Sequence, residues 1–162
     1  KNGGIQHLKF IGDHVESIPL HPPQSFIRWL QKHLVLADTG IRHVSGELHE
    51  DVWSRYEDVK IHLMEIRDAA RQMSVAVQND RRDQLVDSFK RTTAAVNELS
   101  PKLNEPYRDL DSKTEVLAWK GMGAAAGGYV AIISRDPELT KSTIDWEILD
   151  WSIDDDGLVV EE

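Results

Sequence analysis

A chain of 162 residues is long enough to bury one core and short enough to be read as a single domain, residues 1–162. Its 40% hydrophobic and 29% charged residues are those of a globular protein, and no apolar run reaches the roughly 18–20 residues of a membrane-spanning helix. The net charge of −9 repels phosphate backbones and disfavours nucleic acid as a partner, while the lack of cysteine excludes disulfides and thiolate metal sites.

The opening KNGGIQHLKF has no apolar core of a signal peptide, so a cytoplasmic location is the expectation. It lacks an initiating Met and runs at once into a strand pattern, which reads as a cut inside a larger protein. Ile5 to Phe10 alternate, Gly12-Asp13 turn, and Val15 to Leu20 return as a second strand. Pro22-Pro23 open a helix carrying Phe26, Ile27, Leu30 and Leu34 at helical spacing. Leu34 to Ala37 is a short apolar run of the buried-strand type, ended by Asp38-Thr39-Gly40.

The middle is helical. Val59, Leu63, Ile66, Ala70, Met73 and Val77 form one apolar stripe, and Leu85, Phe89, Thr92, Val96 and Leu99 a second, with Asn79-Asp80 between them. Two antiparallel helices with buried faces are the expectation. A strand over Val116 to Lys120 precedes the segment Gly121 to Gly128, and Tyr129 to Ser134 is a buried-strand candidate. Asp136-Pro137-Glu138 opens a short helix, Trp146 to Ile153 alternates as a strand, Asp155-Asp156-Gly157 turns, and Leu158 to Val160 returns as an edge strand. Strands at both ends and helices between them predict an α+β two-layer sandwich, an antiparallel sheet with helices on one face.

Glycine and alanine in series let a backbone approach a ligand or another backbone closely. Gly121-x-Gly123-x-x-Ala126 matches the letters of a dinucleotide-binding turn, yet two glycines would interrupt the helix that must follow, so that reading is rejected. A phosphate-binding P-loop also fails, for want of Gly-Lys-Ser/Thr.

Lys120-Gly-Met-Gly123-Ala124-Ala125-Ala126-Gly127-Gly128-Tyr129 resembles the third conserved motif of the GHMP kinases: galactokinase, homoserine, mevalonate and phosphomevalonate kinases. That motif reads Lys, two apolar residues, then Gly-Ala-Gly-Gly-Gly-Gly-Phe; here Ala125 and Ala126 replace two glycines. Gly3 to Phe10, the strand ending in Thr39-Gly40, the two long helices and Asp154 to Leu158 resemble, in the same order, segments of the fucokinase and heptose-phosphate kinase type. After Thr-Gly that branch has two residues and an Arg; here Arg42 comes one place early, His43 takes the Arg position, and Ser45 stands where a small residue follows.

The resemblance implies a ferredoxin-like C-terminal domain of an ATP-dependent kinase acting on a sugar or sugar phosphate. It implies substrate-side roles for Thr39, Gly40, Arg42 and His43, with the glycine motif, Lys120 and Gly123 to Gly128, bringing its backbone amides to the same wall of the cleft. ATP and Mg²⁺ would serve the parent enzyme. The Ser-rich nucleotide loop is absent from this sequence, and the catalytic Asp would precede Gly3, so the chain supplies no catalytic residue. The expected partner is the missing N-terminal kinase domain, and the chain by itself is expected to be inactive. The alternative is a non-catalytic small-molecule-binding or protein-interaction module that keeps the fold. No histidine spacing suits a metal, Asp154 to Asp156 lack the pattern of a calcium loop, and no nucleophile elbow occurs. Of the tryptophans, Trp119 beside the glycine motif is the candidate for stacking on a sugar.

Overall fold

The computed structural model describes residues 3–42, 45–123 and 125–157, and for 45–49 the backbone only. The first element is a hairpin of β1 (Ile5–Ile11) and β2 (His14–Leu20), paired antiparallel from Ile5↔Leu20 to Ile11↔His14. Gly12 takes φ +57 at its tip, the left-handed backbone a two-residue turn requires. Leu8, Phe10, Ile11 and Val15 are exposed along the hairpin. Its base is tied to the far end of the described chain: Gly4 N–H donates to Asp154 C=O at 2.6 Å. A Cβ on Gly3 would lie 2.3 Å from the Asp155 carbonyl carbon, so only glycine permits that approach.

Helix α1 (Gln24–His33) follows Pro23 and passes without a loop into β3 (Leu34–Asp38). Next come α2 (Ser45–Ser54) and α3 (Tyr56–Gln78), separated by a break at Arg55. The Arg55 guanidinium bridges Asp51 at 2.7 Å and the Leu99 carbonyl at 2.9 Å, fixing the break against α4 (Arg82–Leu99). Helices α3 and α4 form the expected antiparallel pair. Within α3 the stripe is shifted by one: Ala69 is buried and Ala70 exposed, since a step of three from Ile66 keeps to the inner face better than a step of four here. A short α5 (Pro101–Asn104) and a 3-10 turn, Glu105–Ser112, lead to β4 (Val116–Gly121). Then come β5 (Tyr129–Ser134), α6 (Pro137–Thr143) and β6 (Glu147–Leu149).

The four-stranded sheet has the order β4-β5-β3-β6, all antiparallel, giving the α+β class the sequence implies. Alternate residues of its central strands feed two apolar clusters. Val35, Ala37, Val130 and Ile132 join Val59, Leu99, Tyr107 and Trp119. Ala131 and Ile133 join Phe26, Ala76, Leu85 and Phe89. Strand β6 is shorter than the predicted Trp146–Ile153 strand. Beyond Leu149 the Leu34 carbonyl is taken by the Trp151 indole N–H at 3.1 Å, a side-chain bond in place of a ladder bond. The turn at Asp155–Gly157 forms as expected: Asp154 Oδ1 accepts from Asp156 N–H and Gly157 N–H. The expected edge strand Leu158–Val160 lies outside the described residues.

Candidate functional site

Antiparallel pairing of β3 with β5 sets Asp38 opposite Tyr129. The segment leaving β3 and the segment entering β5 therefore meet at one edge of the sheet. Thr39 N–H and Thr39 Oγ1–H both donate to the Gly128 carbonyl at 3.0 Å, and Gly128 N–H donates to the Ile41 carbonyl at 2.9 Å. Thr39 Oγ1 also accepts from Ile41 N–H at 3.2 Å. The hydroxyl expected to face a substrate is thus a staple between the two loops. Gly40, at φ +69, turns the chain after it, with its N–H on Asp38 Oδ1 at 2.9 Å. Arg42 is exposed and, with Asp38, Gly40, Ile41, Gly128 and Tyr129, borders an open depression of about 490 Å³. His43 and Ala124 lie outside the described residues.

The glycine-rich loop follows a left-handed path, with φ +61 at Gly123, +62 at Ala125 and Ala126, +132 at Gly127 and +64 at Gly128. An L-residue in that region costs roughly 1–2 kcal/mol, so the two alanines keep the path of the glycines they replace at a local cost. The amides of such a loop are donors that a closely approaching ligand could take. From 125 to 128 they are engaged within the protein: Ala125 N–H on Met122 C=O, Ala126 N–H on Leu103 C=O at 2.7 Å, Gly127 N–H on Tyr107 Oη at 3.0 Å, and Gly128 N–H on Ile41 C=O. Each strong donor buried in a fold needs a partner, and here the fold supplies it. The Tyr107 hydroxyl returns its own proton to the Gly127 carbonyl.

No family model and no curated protein matches this sequence. Solved structures do match it in fold. The Lin0012 protein of Listeria innocua superposes with a TM-score of 0.62 at 16% identity, over 84% of this chain and 41% of that one. The mevalonate kinase of L. major, solved with R-mevalonate, gives 0.59 at 15% identity, over 86% and 43%. A D-glycero-D-manno-heptose 1-phosphate kinase of Bacteroides thetaiotaomicron gives 0.53 at 13% identity, over 97% and 45%. The α+β fold of this chain is shared by part of each of these structures. This chain spans less than half the length of each of these solved proteins.

The residues nearest the glycine loop divide into structural and available groups. Trp119 is not available for stacking on a sugar. It is 5% exposed, its indole N–H donates to Asp111 Oδ1 at 2.7 Å, and its ring packs 5.5 Å from that of Tyr107. Lys120 is available. Its ammonium donates to the adjacent Gly121 carbonyl at 3.1 Å, and among the described residues no carboxylate lies within ion-pair distance of it. Burial pushes it below the ordinary lysine range. Among the described residues no three His, Asp or Glu side chains converge as a metal ion would need, and no helix is long and apolar enough to cross a membrane.

Tyr107 and Asp38 are the participants that sequence reasoning missed. Asp38 had a signal, since it directly precedes Thr39-Gly40 at a strand end. Tyr107 had none, because its partner stands 20 residues away and across the fold.

Proposed function

We propose that this chain is the substrate-side, C-terminal half of a GHMP-type kinase that moves the ATP γ-phosphate to a hydroxyl of a sugar or sugar phosphate, of the fucokinase or heptose-phosphate kinase branch. The observation that carries this reading is the junction of the Thr39-Gly40 turn with the Gly127-Gly128 turn at one sheet edge. It places an exposed cation, Arg42, beside a carboxylate, Asp38, around an open depression. Such a mixed polar rim suits a hydroxyl-rich or phosphorylated acceptor.

Phosphoryl transfer needs positioning and charge neutralisation. This chain's share is positioning. The Thr39 staple holds the Arg42 turn, and Tyr107 holds the glycine loop behind it. The residues present do not fit ATP and Mg²⁺ by themselves: the loop amides at 125–128 are occupied, and the described residues gather no metal ligands. A companion N-terminal domain would hold both, and the assembled enzyme would work in the cytoplasm. The engaged amides also favour a second reading, a non-catalytic binding module on the same fold.

One experiment separates the two. The chain should be assayed for ATP turnover with a panel of sugars and sugar phosphates, alone and joined to whatever its gene encodes upstream. No turnover alone and turnover when joined, with Arg42→Ala raising the KM for sugar more than that for ATP, supports the kinase. Equal losses for both substrates would indicate a folding defect. No turnover in either form, with sugar binding retained, would replace the kinase by the binding module.

A further inference from the structure

A cavity of about 250 Å³ lies behind the glycine loop, between α2, α3, α4 and the end of β4. Leu63, Ile66, Val96, Leu99 and Leu103 supply apolar walls. Two hydroxyls that could have made it polar are turned to the backbone: Thr92 Oγ1 donates to Ser88 C=O and Thr93 Oγ1 to Trp119 C=O. Lys120 also lines it, as do Gly123 and Ala125 of the loop. A cation beside apolar walls, with one carbonyl as its partner among the described residues, is poorly compensated, because burying a charge is costly unless it is paired.

We propose that this cavity binds a small organic monoanion with an apolar body, its carboxylate on Lys120 and its hydrocarbon among the leucine, isoleucine and valine walls. The size argues for a short occupant, since pockets for drug-sized ligands run about 300–1,000 Å³. The walls argue against a bare sugar, whose hydroxyls would lose their water without replacement. Lys120, the one cation among the described lining residues, argues for a carboxylate over a phosphate ester, which carries about −1.5 to −2 charges near neutrality. This site is distinct from the Thr39 edge, but the two share the glycine loop. Gly123 and Ala125 face the cavity, while Gly128 bonds to the β3 turn. An occupant would therefore brace the loop from behind. The proposal does not depend on the kinase reading.

The test is amide NMR on the chain with three probes of one length: hexanoate, 1-hexanol and hexylammonium. Hexanoate should shift the amides of Gly121, Gly123 and Leu103 saturably. It should bind about tenfold or more tightly than hexanol, as one charge-assisted hydrogen bond implies. Hexylammonium should leave those amides unmoved. Lys120→Met should bring hexanoate down to the level of hexanol, and Val96→Phe, which fills the cavity, should abolish both. The proposal is overturned if hexanoate produces no saturable shift, if its shifts map elsewhere, if hexanol binds as well, or if Lys120→Met keeps the preference. Should either variant fail to fold, the three-probe comparison on the unmodified chain decides alone.

Discussion

The Tyr107 hydroxyl makes two hydrogen bonds to one residue, accepting from the Gly127 N–H and donating to the Gly127 carbonyl. The ring behind it is fully buried against Trp119 and Trp146. A Cβ on Gly121 would come within 2.7 Å of it. The loop is therefore hung from a rigid post, and its left-handed backbone is held by something other than its own preference.

Tyr107→Phe keeps the ring and removes the post. It leaves a buried N–H and C=O unpaired, at a cost of roughly 1–3 kcal/mol. For a chain of this size that corresponds to a fall in Tm of roughly 2–4 °C per kcal/mol. Urea unfolding of the variant beside the parent measures it. An unchanged midpoint would mean that the clamp does not hold the loop.

Neighbouring glycines should respond very differently to alanine. At Gly127 a Cβ would stand 2.6 Å from the Ile41 carbonyl oxygen, at φ +132. At Gly128 it would meet open space, at φ +64. Gly128→Ala should cost about 1–2 kcal/mol, the ordinary penalty of a left-handed L-residue. Gly127→Ala adds a backbone clash and should cost well over 2 kcal/mol, or leave the chain unfolded, by the usual scale of such strain. Equal effects at the two positions would refute the geometry of the junction.

Thr39→Val removes both hydrogen bonds of the hydroxyl and should lose about 1–3 kcal/mol, at about 0.5–1.5 kcal/mol for each, while Thr39→Ser should keep them. Hydrogen exchange gives the local readout. The Ile41 amide, which donates to Thr39 Oγ1, should exchange faster in the valine variant and not in the serine variant. If serine fails as valine does, the methyl group and not the hydroxyl matters.

Burial holds the Lys120 ammonium below the ordinary lysine value of 10.5, so the folded state binds this proton less tightly than the unfolded state. The penalty is fully present below the folded pKa. It is relieved as pH rises from there toward the unfolded value, and stability rises across that window. Lys120→Met removes the charge. The variant's gain in unfolding free energy should be greatest at neutral pH and shrink as pH approaches 10.5. Tyr107, whose phenol is pushed up chiefly by burial, is present in both chains and cancels in the comparison. A gain that does not vary with pH would show that Lys120 titrates normally.

Much of this fold is legible in the sequence, for reasons visible at particular residues. Strands β3 and β5 announce themselves because Leu34–Ala37 and Val130–Ile133 are apolar runs next to glycine turns. Their shared edge follows from pairing alone. The break between α2 and α3 is hidden because Arg55 is no helix breaker; its effect comes from reaching the Leu99 carbonyl, 44 residues on. The glycine loop is visible as a motif, but its hydrogen bonds are not. They run to Leu103, Tyr107 and Ile41, which only the tertiary fold brings near. The left-handed φ of Ala125 and Ala126 is hidden for the same reason, since alanine by itself argues against it.

The contact between Gly3-Gly4 and Asp154-Asp155 makes the described chain nearly a closed ring. Its order along the sequence is then partly interchangeable. Joining residue 157 to residue 3 through a short flexible linker, and opening the chain at the exposed Gly12-Asp13 tip, would cut no strand pairing of the four-stranded sheet. Such a rearranged chain should unfold in one cooperative transition, as circular dichroism would record. The hairpin would then be split between its two new ends, each strand free to carry a different fused domain.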